Sequence, residues 1–199
     1  MSEGKTLAQA VQERLARFYH LDDVPPVEAF AVRAGPGGRE EVLVREVDDA
    51  VEIAVVLPDE AFGPANAPVP VDGMCQVVEG VSHFVYLVER IRTGLPATQL
   101  ELELQAEVDK FVVLGLPAIE EEDRGRAMHA RLYERVSFIH PKGTEAGERY
   151  RLANELAARL CARIGPHHPR TPTFARARAI LRRFHRLGQS EKIRLASAA

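Results

Sequence analysis

The sequence predicts an α+β fold, in which an N-terminal helix and a small antiparallel β-meander precede a five- or six-helix bundle. Three observations lead to this prediction. Apolar residues recur at helical spacing near the start, β-branched runs alternate with turn residues over positions 27–57, and helical spacing returns from residue 74 onward. A chain of 199 residues is also long enough to bury a core without disulfide bonds.

The first helix is predicted over residues 6–20. Thr6 has a side chain that suits the N-cap position, and Pro25-Pro26 prevents any continuation of the helix. One face of this segment carries apolar side chains at helical spacing, namely Leu7, Val11, Leu15 and Phe18.

Three strands are predicted next, over Val27–Ala34, around residues 42–47 and over Val51–Leu57. Gly35-Pro-Gly-Gly38 is a strong turn sequence between the first two, and Asp48-Asp49 separates the second from the third. Short connections between consecutive strands are typical of an antiparallel meander.

Prolines interrupt the chain at four positions between residues 58 and 73. We therefore predict a division near residue 72. Residues 1–72 would form an acidic region with the first helix and the sheet, and residues 73–199 a helical bundle whose last helices are basic. The two regions are expected to pack as one unit, because three strands alone bury little apolar surface.

Helices are predicted over residues 74–93, 97–114, 124–139, 145–164 and 173–187, with a short sixth from Ser190. Residues 100–104 alternate with period two, as a strand does. The spacing of Leu104, Val108 and Phe111 favours a helix instead. This helix is apolar on two sides, which predicts a central position in the bundle.

The charge of the chain is strongly polarised. Residues 149–199 hold 12 Arg or Lys against two acidic residues, whereas residues 1–148 hold 14 against 27. The densest basic surface is predicted on helix 173–187, whose candidate binding residues are Arg176, Arg178, Arg182, Arg183 and Arg186. Such a helix can bind nucleic acid. It can equally dock on acidic groups of this chain or of a partner protein, since Arg pairs well with carboxylates. A membrane surface is disfavoured, because the helix lacks Trp and a dense bulky apolar face.

A second candidate site is a carboxylate–histidine cluster. Glu79, His83, Tyr86 and Arg90 share one stripe of helix 74–93, and a carboxylate and an imidazole one turn apart can share a metal ion or act as an acid–base pair. Further members are expected from Glu107 or Glu103 of the central helix, and from His129, Tyr133 and His140. The competing interpretation is a solvated face with i,i+4 pairs, since the usual helical metal motifs are absent.

Other motifs indicate little chemistry. His167-His168 lies between prolines and is predicted to be exposed, and no GxSxG nucleophile motif or phosphate-binding loop is present. Cys75 and Cys161 are predicted to be reduced, packed thiols in a cytoplasmic protein. The sequence shows no signal-peptide pattern and no apolar stretch long enough to span a bilayer.

Three functions follow as hypotheses. The leading one is a non-enzymatic cytosolic interaction or regulatory protein with separate acidic and basic surfaces, which binds a protein partner or itself and needs no cofactor. The second is a nucleic-acid-binding module acting through the basic C-terminal helices. The third is a metal-dependent enzyme whose ligands are Glu79, His83 and Glu107.

Overall fold

The computed structural model describes residues 4–35, 37–48, 50–118, 121–164 and 174–198. The chain divides into two compact units, Met1–Leu95 and Pro96–Ala199. An N-terminal helix, a three-stranded sheet and a series of helices follow one another, which confirms the predicted α+β class. Among the described residues, no helix combines the length and the apolar character needed to cross a membrane.

Helix α1 spans Leu7–Tyr19 and confirms the first predicted helix. Its start is fixed by a capping box, in which the Gln9 N–H donates to Thr6 Oγ1 at 3.2 Å and the Thr6 N–H donates to Gln9 Oε1 at 3.0 Å. The helix ends at His20, whose φ of 56° is left-handed.

The sheet contains β1 (Ala31–Arg33), β2 (Glu41–Val47) and β3 (Ala50–Leu57) in the order β1–β3–β2. β2 and β3 pair antiparallel as predicted, but β1 pairs parallel to β3, so the antiparallel meander is wrong. The start of the predicted first strand, Val27–Ala29, is a 3-10 turn. β3 is the most apolar of the three strands. It lies in the centre of the sheet and pairs along both of its edges.

Helix α2 (Val71–Arg92) packs against both the sheet and α1. The helix approaches the sheet closely at Gly80, where an added Cβ atom would lie 2.5 Å from Leu57 Cδ2. Every residue from Val77 to Leu87 is buried. Helix α2 therefore belongs to the same compact unit as the sheet, whereas the sequence placed the division before it, near residue 72.

The second unit consists of five helices in the described residues: α3 (Gln99–Lys110), α4 (Glu122–His129), α5 (Glu145–Ile164), α6 (Phe174–Arg186) and α7 (Gln189–Ser197). α5 packs against α3, α4 and α7. α3 is helical throughout residues 100–104, as predicted, and a second capping box at Thr98 fixes its start.

Two π-helical turns follow α3 and α4, over Phe111–Gly115 and Ala130–Glu134. The Phe111 N–H donates to the Val108 carbonyl, three residues back, and not to the Glu107 carbonyl that an unbroken α-helix would offer it. The Glu107 carbonyl accepts instead from the Tyr133 hydroxyl at 2.9 Å. The second π-helical turn is therefore joined to the last turn of α3 by a side-chain hydrogen bond.

Candidate functional site

Glu79 and His83 form a buried carboxylate–histidine pair on α2. Their residues are only 5% and 8% exposed, and a carboxylate oxygen of Glu79 lies within 4.8 Å of a ring nitrogen of His83. The other members of the predicted stripe, Tyr86 and Arg90, are 1% and 5% exposed. The alternative interpretation of this stripe as a solvated face is therefore wrong.

The rotation of α2 explains why a polar stripe can be buried. Successive helical residues are about 100° apart. Relative to Gly80, which faces the sheet, Glu79 and His83 lie about 60–100° to one side of the helix and Val81 lies about 100° to the other. Arg90 places its guanidinium 4.9 Å from the centre of the Tyr86 ring, a cation–π contact further along the polar stripe.

The geometry of the pair fits a metal ion with little adjustment. Two ligand atoms that each lie about 2.1 Å from one ion are at most about 4.2 Å apart. The separation of up to 4.8 Å between the Glu79 oxygen and the His83 nitrogen therefore requires a side-chain shift of about 0.6 Å or less. An oxygen and an imidazole nitrogen together suit ions such as Zn²⁺, Mn²⁺ and Fe²⁺.

The predicted third ligand, Glu107, lies on α3 in the second unit. Its carboxylate accepts a hydrogen bond from Lys110 Nζ at 2.8 Å, and both side chains are nearly buried. Glu103, the alternative named from the sequence, lies one turn earlier on α3 and is 8% exposed. The Lys110 ammonium balances the Glu107 charge.

The predicted histidines of the second unit do not converge on one site. His129 Nε2 lies 3.2 Å from the Ala158 carbonyl oxygen, and its Nδ1 lies 3.6 Å from a Glu134 oxygen. His140 stacks on Tyr150, with 5.1 Å between the ring centres. The His167-His168 pair lies outside the described residues.

Cys161 is a buried thiol and has the properties of a packing residue. Its residue is fully buried, and Sγ lies within hydrogen-bond distance of the Tyr133 hydroxyl oxygen, at 3.3 Å. Burial raises the pKa of Cys161 to about 12, a rise that the Tyr133 hydrogen bond only partly offsets. The thiol therefore stays protonated at neutral pH and is a poor nucleophile, in agreement with the prediction for this residue.

The predicted basic helix α6 is amphipathic. It buries Ala177, Leu181, Phe184 and His185. Its arginines divide into two groups: Arg176, Arg183 and Arg186 are exposed, and Arg178 and Arg182 are half-buried. The pKa of Arg182 lies below the ordinary value for arginine, first because of burial and then because of the neighbouring Arg178 and Arg186 cations. In the part of the chain that the structure describes, Arg183 and Arg186 form no ion pair.

A buried lysine is a polar feature that sequence reasoning missed. Lys192 is one of the 12 Arg or Lys residues of the basic C-terminal region, but it is fully buried on α7. Its Nζ donates to Gln105 Oε1 at 2.5 Å, and Gln105 Nε2 donates to Asp109 Oδ1 at 2.9 Å. The ammonium also lies 4.8 Å from the centre of the Phe184 ring. No local pattern around Lys192 distinguishes it from a solvated lysine, because its partners lie far away in the sequence.

The first unit also holds an open cleft of about 450 Å³ beside the Gly35–Gly38 turn. Arg39, Asp59, Glu60 and Gln76 line it together with turn and loop residues. The mixture of one cation and two carboxylates gives it no clear preference for a ligand charge. The Gly35–Gly38 turn, which we predicted to close a hairpin, connects strands that are not neighbours in the sheet.

No protein-family profile, curated protein or solved structure matches this chain. Its function therefore has to be argued from the geometry of its own residues.

Proposed function

We propose that this protein binds a divalent transition-metal ion through Glu79 and His83. The proposal depends on one observation, the burial of a carboxylate and an imidazole whose ligand atoms lie within 4.8 Å on one helix face. An i,i+4 pair of ligands on one helix is a common way to hold a metal ion in proteins.

A single helix supplies only two ligands, so the remaining positions need other groups. The hypothesis from the sequence takes one of them from Glu107 of α3, with Glu103 as the alternative. An ion with three protein ligands and an open position can act as a Lewis acid or activate water. Lewis-acid action or water activation by this protein would follow from metal binding.

Metal titration of the purified protein tests this proposal. After treatment with a chelator, the protein is titrated with Zn²⁺, Mn²⁺ or Co²⁺ by calorimetry, and the bound metal is measured by elemental analysis. We expect stoichiometric binding and a loss of affinity of more than about 100-fold in E79Q and H83Q, because even residues that only support a ligand contribute 10- to 100-fold.

The control is E89Q, which removes a carboxylate from the same helix. Glu89 is paired with Arg92 through two hydrogen bonds, and its replacement should leave metal affinity unchanged. E103Q and E107Q decide which carboxylate of α3 contributes. Absence of binding by the wild type, or equal binding by E79Q and H83Q, would rule the proposal out.

We also propose that α6 binds an anionic partner, either an acidic protein, as the leading hypothesis from the sequence allows, or a nucleic acid, as the second hypothesis states. The supporting observation is the group of like charges at Arg182, whose pKa is lowered by burial and then by Arg178 and Arg186. Exposed Arg183 and Arg186 extend this basic surface into solvent. A partner with phosphates or carboxylates would relieve the mutual repulsion of these side chains.

Salt dependence separates the two classes of partner. Binding to a nucleic-acid duplex should weaken steeply between low and moderate salt, and R183Q/R186Q should reduce the slope of the salt dependence by about two. R124Q/R126Q, at exposed arginines of α4 that pair with Glu121 and Glu122, is the matched control. No binding to duplex DNA or RNA at low salt would exclude nucleic acid and leave an acidic protein as the partner.

A further inference from the structure

Strand β2 is an edge strand with apolar side chains exposed on both faces. Within the described residues, β3 is the only strand that pairs with it, so its outer edge faces away from the sheet. Leu43 and Val44 point to opposite faces and are each 50% exposed. Such an edge is a template for pairing with another strand.

The hydrogen bonds of β3 show which groups of β2 face the open edge. The Val55 N–H donates to the Phe30 carbonyl at 2.9 Å, so the backbone of Val55 faces the β1 side. The backbone of Ala54 therefore faces β2, where its partner is Leu43. Because successive residues alternate in direction, Val42 and Val44 direct their N–H and C=O groups toward the open edge.

We propose that two copies of this chain pair through β2, antiparallel and centred on Leu43, to form one continuous six-stranded sheet. In this register Glu41 lies opposite Arg45 of the second copy. Val42 lies opposite Val44, and Leu43 lies opposite its own equivalent. The segment Glu41–Arg45 is thus complementary to itself in charge and in apolar character, which identifies a second copy as the partner that fits best.

The hydrogen-bond pattern and the charges select this register. Directly opposed residues in an antiparallel pair must both face, or both avoid, the shared edge. Val42 and Val44 satisfy this rule when Leu43 is the centre. Centring the pair on Val44 also satisfies it, but sets Leu43 against Arg45. Centring on Arg45 sets two cations against each other, which is unfavourable.

Arg45 can serve both copies at once. Its Nε and Nη2 atoms donate to Glu52 Oε2 at 3.0 and 2.5 Å. Its Nη1 makes no hydrogen bond to any described residue of the chain. A guanidinium has five donors in a planar fork, so Arg45 can pair with its own Glu52 and with Glu41 of the second copy in one row of charges.

Charge reversal across the interface tests the register. Sedimentation equilibrium of the wild type should show a monomer–dimer equilibrium, and E41R and R45E should each raise the dimer dissociation constant by about tenfold or more. An equimolar mixture of E41R and R45E should recover the dimer, because each Arg then faces a Glu. E145R carries the same charge change at an exposed position of α5 and should dimerise like the wild type.

A backbone test does not depend on charge. V44P removes an N–H that faces the open edge and should abolish the dimer while circular dichroism remains unchanged. In the wild type, exchange of the Val42 and Val44 amide hydrogens should slow as protein concentration rises. A wild type that stays monomeric at all concentrations, a dimer unaffected by E41R and R45E, or a mixture that fails to recover it would overturn the proposal.

Discussion

Gly80 lies where α2 closely approaches the sheet, so an added methyl group there should disturb the packing beside Glu79. In G80A the new Cβ would lie 2.5 Å from Leu57 Cδ2 and 3.3 Å from Glu40 Cβ. Carbon atoms in contact are normally about 3.5–4.0 Å apart, so a displacement of about 1 Å or more is needed. Leu57 is fully buried, so its side chain can move only by displacing other packed atoms.

Two opposing contributions set the size of the effect. Overpacking of a core costs about 1–3 kcal/mol, whereas replacing a helical glycine by alanine contributes about 1 kcal/mol of stability. We expect the difference to lower the free energy of unfolding of G80A by up to about 2 kcal/mol. G73A is the control on the same helix. Its Cβ would meet the end of the exposed Glu60 side chain at 3.3 Å, so it should raise stability by about 0.5–1 kcal/mol.

Denaturant unfolding of G80A, L57A and the double variant measures the contact directly. L57A alone should cost about 2–5 kcal/mol. The double variant should cost less than the sum of the two by about 1–2 kcal/mol, because removal of the Leu57 methyl groups makes room for the new Cβ. A stabilising G80A, or additivity within about 0.5 kcal/mol, would refute the close approach at Gly80.

Three further predictions concern the second unit. G147A should lower the free energy of unfolding by more than about 2 kcal/mol in denaturant titration, because its Cβ would lie 1.9 Å from the Pro141 carbonyl oxygen; an unchanged midpoint would contradict this. Y133F removes the hydrogen bond to the Glu107 carbonyl and should lower the free energy of unfolding by about 1–2 kcal/mol in the same assay, whereas a Y133F protein as stable as the wild type would count against this hydrogen bond. The Cys161 thiol ionises near pH 9.0 when unfolded but only near pH 12 when folded, so the unfolded state loses its proton first. The free energy of unfolding should therefore fall as pH rises above 9, by about 2 kcal/mol at about pH 10.5, and a C161A variant with the same slope would show that another group is responsible.

The sequence predicted the elements whose pattern is local. Helix α5 could be predicted because a single segment of the chain carries both its apolar spacing and the residues at its two ends. The capping sequence at Thr6 likewise fixes the start of α1. The direction of β1 could not be predicted, because a three-residue strand carries little periodicity and its pairing with β3 is decided by contacts distant in sequence. The π-helical turns also have no distinguishing local pattern.

A helical wheel could not predict the burial of the Glu79–His83 pair for a similar reason. The spacing of polar residues along a helix is the same whether that face contacts water or other parts of the protein. One local clue was available. Gly80 stands inside a helix, where glycine costs about 1 kcal/mol relative to alanine, and such a residue often marks a close approach of another element. The self-complementarity of Glu41–Arg45 is also visible in the sequence. It indicates a pairing surface only because β2 lies at the edge of the sheet.

The two π-helical turns should let the chain lose a single residue there without a change in the helices on either side. A π-helical turn closes its hydrogen bond over five residues, one more than an α-helical turn uses. Deleting a single residue such as Val112 would therefore convert the turn into ordinary α-helix, with the preceding and following segments kept in nearly the same orientation. In a regular helix, the same deletion would rotate all later side chains by about 100°. The π-helical turns after α3 and α4 are thus the places in the described residues where we expect a single-residue deletion to leave the core of the second unit intact.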